Sequence, residues 1–278
     1  MRSILVPIEE SDVLPSVLQT AALTARAWDS YLEGLYVRSV YAGTIPLIGG
    51  VPVVIEELRH DEWEGIRRAH AQFDAVMRKM NIPLGEAADR GGLAAHFRAE
   101  APPGDAFVAE HARLFDLTVL GQPARGDAAP RLSTVEAVLF ESGRPLLLAP
   151  PLPPERLGET VVIAWNGSTE TARTLAFARP ILERAHYVIV LSVEGGMVDG
   201  PSGEEVVRYL TRTGITARAR HAPQHHGTGE TILEETRELG GDLLIKGAYT
   251  QSRLRQMIFG GATRHILEMA HVPVFMAH

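Results

Sequence analysis

The stretch ILVPIEES occupies residues 4–11, and a similar stretch, VVIAWNGS, occupies residues 161–168. In each, a short apolar run ends at polar or small residues and is followed by apolar positions at helical spacing. This pattern is typical of a buried parallel strand that leads into a helix. Ser11 and Ser168 end the two stretches, and we expect each of them to cap the helix that follows. The repeat indicates that the chain is built from two similar halves.

Further elements follow in the same order in both halves. The stretches Asp116–Gly121 and Asp242–Gly247 each place an acid five residues before a glycine. Each predicts a further buried strand late in its half. The stretches Gly143–Leu148 and Ala270–Phe275 each enter a last strand through a proline, where proline is tolerated. Between these we expect strands at Tyr31–Val37, Ala94–Arg98, His186–Val193 and Thr216–Arg220, and helices at Asp61–Met80, Asp105–Leu114, Glu204–Thr213 and Glu230–Leu239.

The repeat therefore predicts an α/β fold with two tandem, open, five-stranded and mainly parallel sheets, each with helices on both faces. At roughly 150 residues per domain, the length of 278 residues agrees with two domains. We place them at residues 1–150 and 158–278, joined by the proline-rich stretch Ala149–Glu155. The segment Ser39–Glu57 has no long counterpart and is apolar for a loop. We expect it to pack over a crevice, against the other half, or against another subunit.

Composition narrows the class of function. The net charge of −7 argues against nucleic acid as a partner, because such proteins usually carry a basic surface. The absence of cysteine excludes disulfides, thiolate metal sites and a cysteine nucleophile. No apolar run approaches the roughly 18 residues of a membrane span, and the start turns acidic at Glu9, unlike a signal peptide. We expect a cytoplasmic protein without a membrane partner.

A glycine-rich loop stands out in the second half. It begins with Gly247–Thr250, continues through nine residues, and ends with Gly260–Thr263 at the start of a predicted helix. Glycines let a backbone approach phosphate closely, and the helix N-terminus attracts an anion. The alternative is structural: Gly247 forms a turn with positive φ, and Gly260 and Gly261 allow a helix to approach the sheet. Nearby positive charge comes from three arginines: Arg253, Arg255 and Arg264.

These features together resemble the universal stress protein family, in its tandem two-domain form. The resemblance covers nearly the whole chain apart from Ser39–Glu57 and the linker. It implies a Rossmann-like, adenine-nucleotide-binding fold and a role in stress response. In the ATP-binding branch of the family the loop reads Gly, two residues, Gly, nine residues, Gly and then Ser or Thr. Gly247 and Gly260 match the first and third glycines, whereas Thr250 and Gly261 replace the second glycine and the hydroxyl residue.

The resemblance also implies where a nucleotide would bind. The family's aspartate after the first strand corresponds to Asn166, whose amide can form hydrogen bonds without a charge. The contact near the adenine falls at Ser192 and Val193. Ala262 and Thr263 complete the loop, and Thr263 offers a nearby hydroxyl.

The first half departs further from the family pattern. It has Glu9 or Glu10 at the aspartate position, and its loop, Gly121–Ala124, lacks the glycine pair. We therefore expect the nucleotide site in the second half. The first half would then be a structural partner, so that the chain forms an internal pseudo-dimer. The sequence leaves open whether two such chains form a homodimer.

Lys246 and a cluster of histidines are further candidates for ligand binding. Lys246 is either a phosphate contact or a solvated residue at a strand end. His221, His225 and His226 are clustered, but Pro223 interrupts helical ligand geometry among them. We expect no metal site.

The sequence shows no catalytic residue. The carboxylate pairs Glu56–Glu57, Glu204–Glu205 and Glu234–Glu235 are adjacent in sequence, so on a helix their members point about 100° apart. They are typical of solvated faces. Trp165 either packs in the core or stacks on a base. No general base is evident, and any ATP hydrolysis would be slow.

Three hypotheses follow. The first is a stress-response module that binds ATP, with Mg²⁺, in its second half and presents a changed surface to an unidentified protein partner. The alternative is an interaction or assembly protein of the same family that binds no nucleotide. An ATP-dependent hydrolase or adenylate-forming enzyme is the weakest, because its signature motifs are absent from the sequence.

Overall fold

A computed structural model describes residues 1–38, 55–86, 92–123, 130–248 and 261–278, with only the backbone described for residues 55–59. The predictions for Thr250, Gly260 and most of Ser39–Glu57 fall outside these ranges. The first half contains β1 (Ser3–Ile8), α1 (Leu14–Trp28), β2 (Tyr31–Tyr36), α2 (Ile55–Lys79), β3 (Ala94–Arg98), α3 (Asp105–Ala112), β4 (Leu117–Gly121), α4 (Leu132–Glu141) and β5 (Leu146–Ala149). The second half contains β6 (Thr160–Ala164), α5 (Thr169–Phe177), α6 (Arg179–Leu182), β7 (Tyr187–Val193), α7 (Gly203–Arg212), β8 (Ala217–Ala222), α8 (Thr228–Glu238), β9 (Leu243–Gly247), α9 (Ala262–Met269) and β10 (Val274–Ala277).

The strands lie in the order β3-β2-β1-β4-β5-β10-β9-β6-β7-β8. Pairing is parallel within each half, and β5 pairs with β10 in the antiparallel direction, with Leu147 opposite Phe275. The predicted α/β fold is confirmed. The two five-stranded sheets are continuous through β5 and β10, so they form one ten-stranded sheet, which the repeat alone did not indicate.

The core lies on both faces of this sheet. Along β1, Ile4 and Val6 face α1 and α2, while Leu5 faces α3 and α4. In the second half α5 and α7 cover the first face, and α8 and α9 cover the second. Burial on both sides explains why the strands are continuous apolar runs. None of the described helices has the length and apolar character needed to cross a lipid bilayer.

The two predicted serine caps differ in outcome. Ser168 caps α5, and its hydroxyl accepts a hydrogen bond from the Thr171 N–H at 3.2 Å. The cap predicted at Ser11 is wrong, because α1 begins at Leu14 after Val13, with proline in its first turn. Proline fits there because it has no N–H to satisfy and its φ is already helical. The Ser11 hydroxyl instead lies 3.4 Å from the carbonyl of Glu9.

Candidate functional site

The order of the strands indicates where a ligand would bind in the second half. Strand β6 lies between β7 and β9, so the chain leaves β6 and β9 toward opposite faces of the sheet. In open α/β sheets ligands bind outside the carboxyl ends of such strands. The residues that follow β6 and β9, together with the first turns of α5 and α9, therefore form the candidate site.

Asn166 lies at this edge, two residues after the end of β6. Its side-chain oxygen accepts hydrogen bonds from the Thr171 hydroxyl at 2.6 Å and from the Ser168 N–H at 3.2 Å. These bonds hold the Asn166 amide against the first turn of α5. Trp165 is only 5% exposed, and its indole N–H donates to the carbonyl of Pro201 at 2.7 Å. This contact favours packing over base stacking for Trp165.

Gly247 lies against the same turn of α5. A Cβ atom added at Gly247 would lie 2.6 Å from the Thr171 hydroxyl oxygen and 2.7 Å from the Glu170 carbonyl carbon. The φ of Gly247 is not positive, so the structural alternative of a positive-φ turn is wrong. Glycine is required here because β9 approaches the backbone of α5 closely. The structure thus brings Asn166, Thr171 and Gly247 together.

Lys246 points to the other face of the sheet. It is 7% exposed, and its amine donates to the carbonyl of Gly247 at 2.7 Å and to the Thr263 hydroxyl at 2.9 Å. Burial lowers its pKa to about 8. Within the described ranges no carboxylate contacts this amine. Lys246 is therefore not a solvated residue at a strand end but a buried cation without a counter-ion there.

The start of α9 lies beside Lys246. Gly261 is the N-cap residue and provides no side-chain cap, and Thr263 in the first turn is buried. The first N–H groups of a helix have no partner within it and form the positive end of the helix dipole. The lysine amine, one hydrogen bond away at Thr263, adds a charge of the same sign. Gly261, Ala262, Thr263 and Lys246 together make a polar environment suited to an anion.

Ser192 and Val193 end β7 and lie apart from this environment. Ser192 faces the start of α7, because a Cβ atom added at Gly203 would lie 2.9 Å from its hydroxyl oxygen. That oxygen is buried and has no hydrogen-bond partner in the part of the chain that the structure describes. Val193 packs on the opposite face, in the core beside α8 and α9. The predicted adenine contacts therefore lie at the same edge of the sheet but are both buried.

The first half has a different arrangement at the equivalent place. The Glu9 carboxylate, which is 9% exposed, accepts hydrogen bonds from the Arg131 N–H at 3.0 Å, from the Arg131 guanidinium at 2.9 Å and from the Thr134 hydroxyl at 2.9 Å. Arg131 is the residue before α4. Leu120 precedes Gly121 in β4 as Lys246 precedes Gly247 in β9. The first half thus supplies its own anion at a helix start and has no buried lysine.

A further cluster lies on α8 and its approach. His226, Glu230 and Glu234 each place one potential ligand atom within 4.8 Å of the others. The expectation of no metal site considered the spacing among the histidines alone. The informative signal is the spacing of four residues between Glu230 and Glu234, which share a face of α8, together with a histidine just before that helix.

Comparisons with known proteins bear on the fold. No protein-family model matches the sequence, and no curated protein matches it. A universal stress protein from Archaeoglobus fulgidus DSM 4304 matches the structure with a TM-score of 0.71 and 16% identity, over 99% of this chain and 95% of that chain. A functionally unknown protein from Pseudomonas aeruginosa PAO1 matches with a TM-score of 0.53 and 14% identity, over 100% of this chain and 92% of that chain.

The match to the Archaeoglobus fulgidus protein extends over both halves of the chain. Both halves of this chain therefore have the fold of a universal stress protein. The resemblance predicted from the repeated strands and the glycine loop is confirmed at the level of the fold.

Proposed function

We propose that the chain is a universal stress protein whose second half binds an adenine nucleotide through its phosphates. The observation that carries this proposal is Lys246, a buried cation beside the start of α9 with no carboxylate against it among the described residues. The adenine part of the proposal comes from the family resemblance. The phosphate part comes from the residues of the site.

The charges at this place are unfavourable without an anion. Burying an ammonium group costs free energy unless a partner of opposite charge compensates it. The positive end of α9 increases that cost. A phosphate on the N–H groups of Ala262 and Thr263, within reach of Lys246, would compensate both. The amine uses two of its three N–H groups for Gly247 and Thr263, which leaves one for a ligand.

The first half supports the same interpretation. There the Glu9 carboxylate bonds to the N–H of Arg131 at the start of α4. Asn166 stands at the position of Glu9 in the second half, and its amide oxygen is bonded to Thr171 and Ser168. The second half therefore provides no carboxylate of its own from this position, and an external phosphate would take that role.

ATP with Mg²⁺ is the ligand to test first. The donors near α9 fit a phosphate, and the phosphates themselves would hold the Mg²⁺ ion. Calorimetric titrations with ATP, ADP and AMP would show how many phosphates contribute to binding. Mass spectrometry of small molecules released from freshly purified, denatured protein would detect a nucleotide that is already bound.

Lys246 and Lys79 provide a matched pair of variants, because they are the two lysines of the sequence. We expect Lys246→Met to weaken ATP binding by roughly 10-fold to 100-fold, as expected for losing a hydrogen bond from a charged group. The exposed Lys79→Met variant should bind like the parent chain. Equal binding by both variants would remove Lys246 from the site. No binding by the parent at millimolar ATP would favour the interaction protein without a nucleotide.

A further inference from the structure

We propose that His226, Glu230 and Glu234 form a binding site for a divalent transition-metal ion such as Zn²⁺. His226 precedes α8, Glu230 lies in its first turn and Glu234 lies one turn further on. The spacing of four residues places Glu230 and Glu234 on one face of α8, and the chain before the helix brings His226 to the same place. The site uses none of the residues that carry the proposed nucleotide site.

The distances fit a common ion. The three ligand atoms already lie within 4.8 Å of one another. An ion about 2.1 Å from each ligand would require them to lie roughly 3–4 Å apart, a change that side-chain rotations can supply. Two contacts hold the backbone in place. The Gln224 amide donates to the carbonyl of His226 at 2.8 Å, and Gly229 packs against Ala262 of α9.

The two glutamates have no competing partner. Within the described ranges neither Glu230 nor Glu234 forms an ion pair or a side-chain hydrogen bond, although Glu234 is half-buried. Their neighbour Glu235 is different, because it binds the Arg220 guanidinium through both carboxylate oxygens at 3.0 and 3.2 Å. Like charges four residues apart on a helix repel each other. A cation between Glu230 and Glu234 would replace this repulsion with attraction.

The donor set indicates the class of metal. One imidazole nitrogen and two carboxylate oxygens suit Zn²⁺ and the neighbouring ions Co²⁺ and Ni²⁺. Mg²⁺ and Ca²⁺ prefer sites made of oxygen alone. Water would fill the remaining coordination positions, because three ligands converge among the residues that the structure describes.

The test uses the full chain without nucleotide. Titration with Co²⁺, followed by visible absorption, and calorimetric titration with Zn²⁺ should give one site per chain. We expect His226→Ala and Glu234→Gln to weaken binding at least about tenfold, and His225→Ala, at the adjacent exposed histidine, to leave it unchanged. Thermal unfolding of each variant would confirm that the fold is intact.

Two results would overturn the site. One is a parent chain that binds neither Co²⁺ nor Zn²⁺ at micromolar concentration. The other is equal binding by the His225→Ala and His226→Ala variants, which would show that the ion binds elsewhere. Because nucleotide is absent, either result leaves the proposal for Lys246 unaffected.

Discussion

The backbone N–H of Arg131 donates a hydrogen bond to the Glu9 carboxylate at 3.0 Å, across 122 residues of sequence. The bond joins the end of β1 to the start of α4, at the edge of the sheet where a parallel α/β fold would otherwise admit an anion. The second half has Asn166 at the position of Glu9. Similar sequences in the two halves therefore produce one edge with a built-in carboxylate and one edge with a buried lysine.

Glu9 should accordingly contribute to the stability of the first half. We expect Glu9→Gln to lower the free energy of unfolding by about 1–3 kcal/mol, because it removes a buried charge from three hydrogen-bond donors. Urea denaturation would measure the change. Glu10→Gln is the matched control, since the neighbouring Glu10 is more exposed and pairs with the exposed Arg68. Equal losses in the two variants would show that the contact with Arg131 adds no particular stability.

The pH dependence of the free energy of unfolding should show the effect of burying the Lys246 amine. Its pKa is about 8 in the folded chain, lowered by burial from 10.5. Between these values the unfolded chain binds a proton that the folded chain does not, so the free energy of unfolding rises with pH. The contribution is up to about 1.4 kcal/mol per pH unit. Lys246→Met should abolish this rise, measured by denaturation from pH 7 to 10.5.

The exposed Lys79 again provides the control. Lys79→Met should keep the rise in stability between pH 8 and 10.5. An identical pH dependence in the parent chain and the Lys246→Met variant would mean that the amine is not buried as the structure describes.

Gly247 should tolerate no side chain. A Cβ atom there would overlap the Thr171 hydroxyl and the backbone of α5, and such overpacking costs about 1–3 kcal/mol. We expect Gly247→Ala to lower the urea midpoint by a corresponding amount. Gly227→Ala is the comparison, because nothing lies within 4 Å of a Cβ atom at Gly227. If Gly247→Ala is no less stable than Gly227→Ala, the close approach of β9 to α5 is not what requires glycine.

Most of the fold could be predicted from local patterns. Strand β3 occurs at Ala94–Arg98 as predicted, and β7 begins one residue later than predicted, at Tyr187. These elements follow from the period of apolar residues, which depends on neighbouring positions alone. The pairing of β5 with β10 was not predictable in this way, because it joins Leu147 to Phe275 across the whole second half.

The site was less predictable for the same reason. The glycine pattern directed attention to the end of β9, but the bond between Lys246 and Thr263 connects a strand to a helix that begins 15 residues after that strand. Local spacing does not encode such a contact. The bond from Arg131 to Glu9 spans a still longer separation. The sequence singled out Gly247, but the physical reason for a glycine there, the approach to Thr171, required the structure.

The junction between the halves leads to a last prediction. In the whole chain β5 covers the outer edge of β10 in the antiparallel direction. The isolated segment Arg156–His278 would expose that edge, and unpaired strand edges bind other strands. Two such segments can pair through β10 about a two-fold axis. We therefore expect the isolated segment to sediment as a dimer. In the full chain β10 is already paired with β5, so it should not associate through this edge at the same concentration. A segment that stays monomeric at high concentration would show that β10 needs no partner, and that the first half is not a substitute for a second copy.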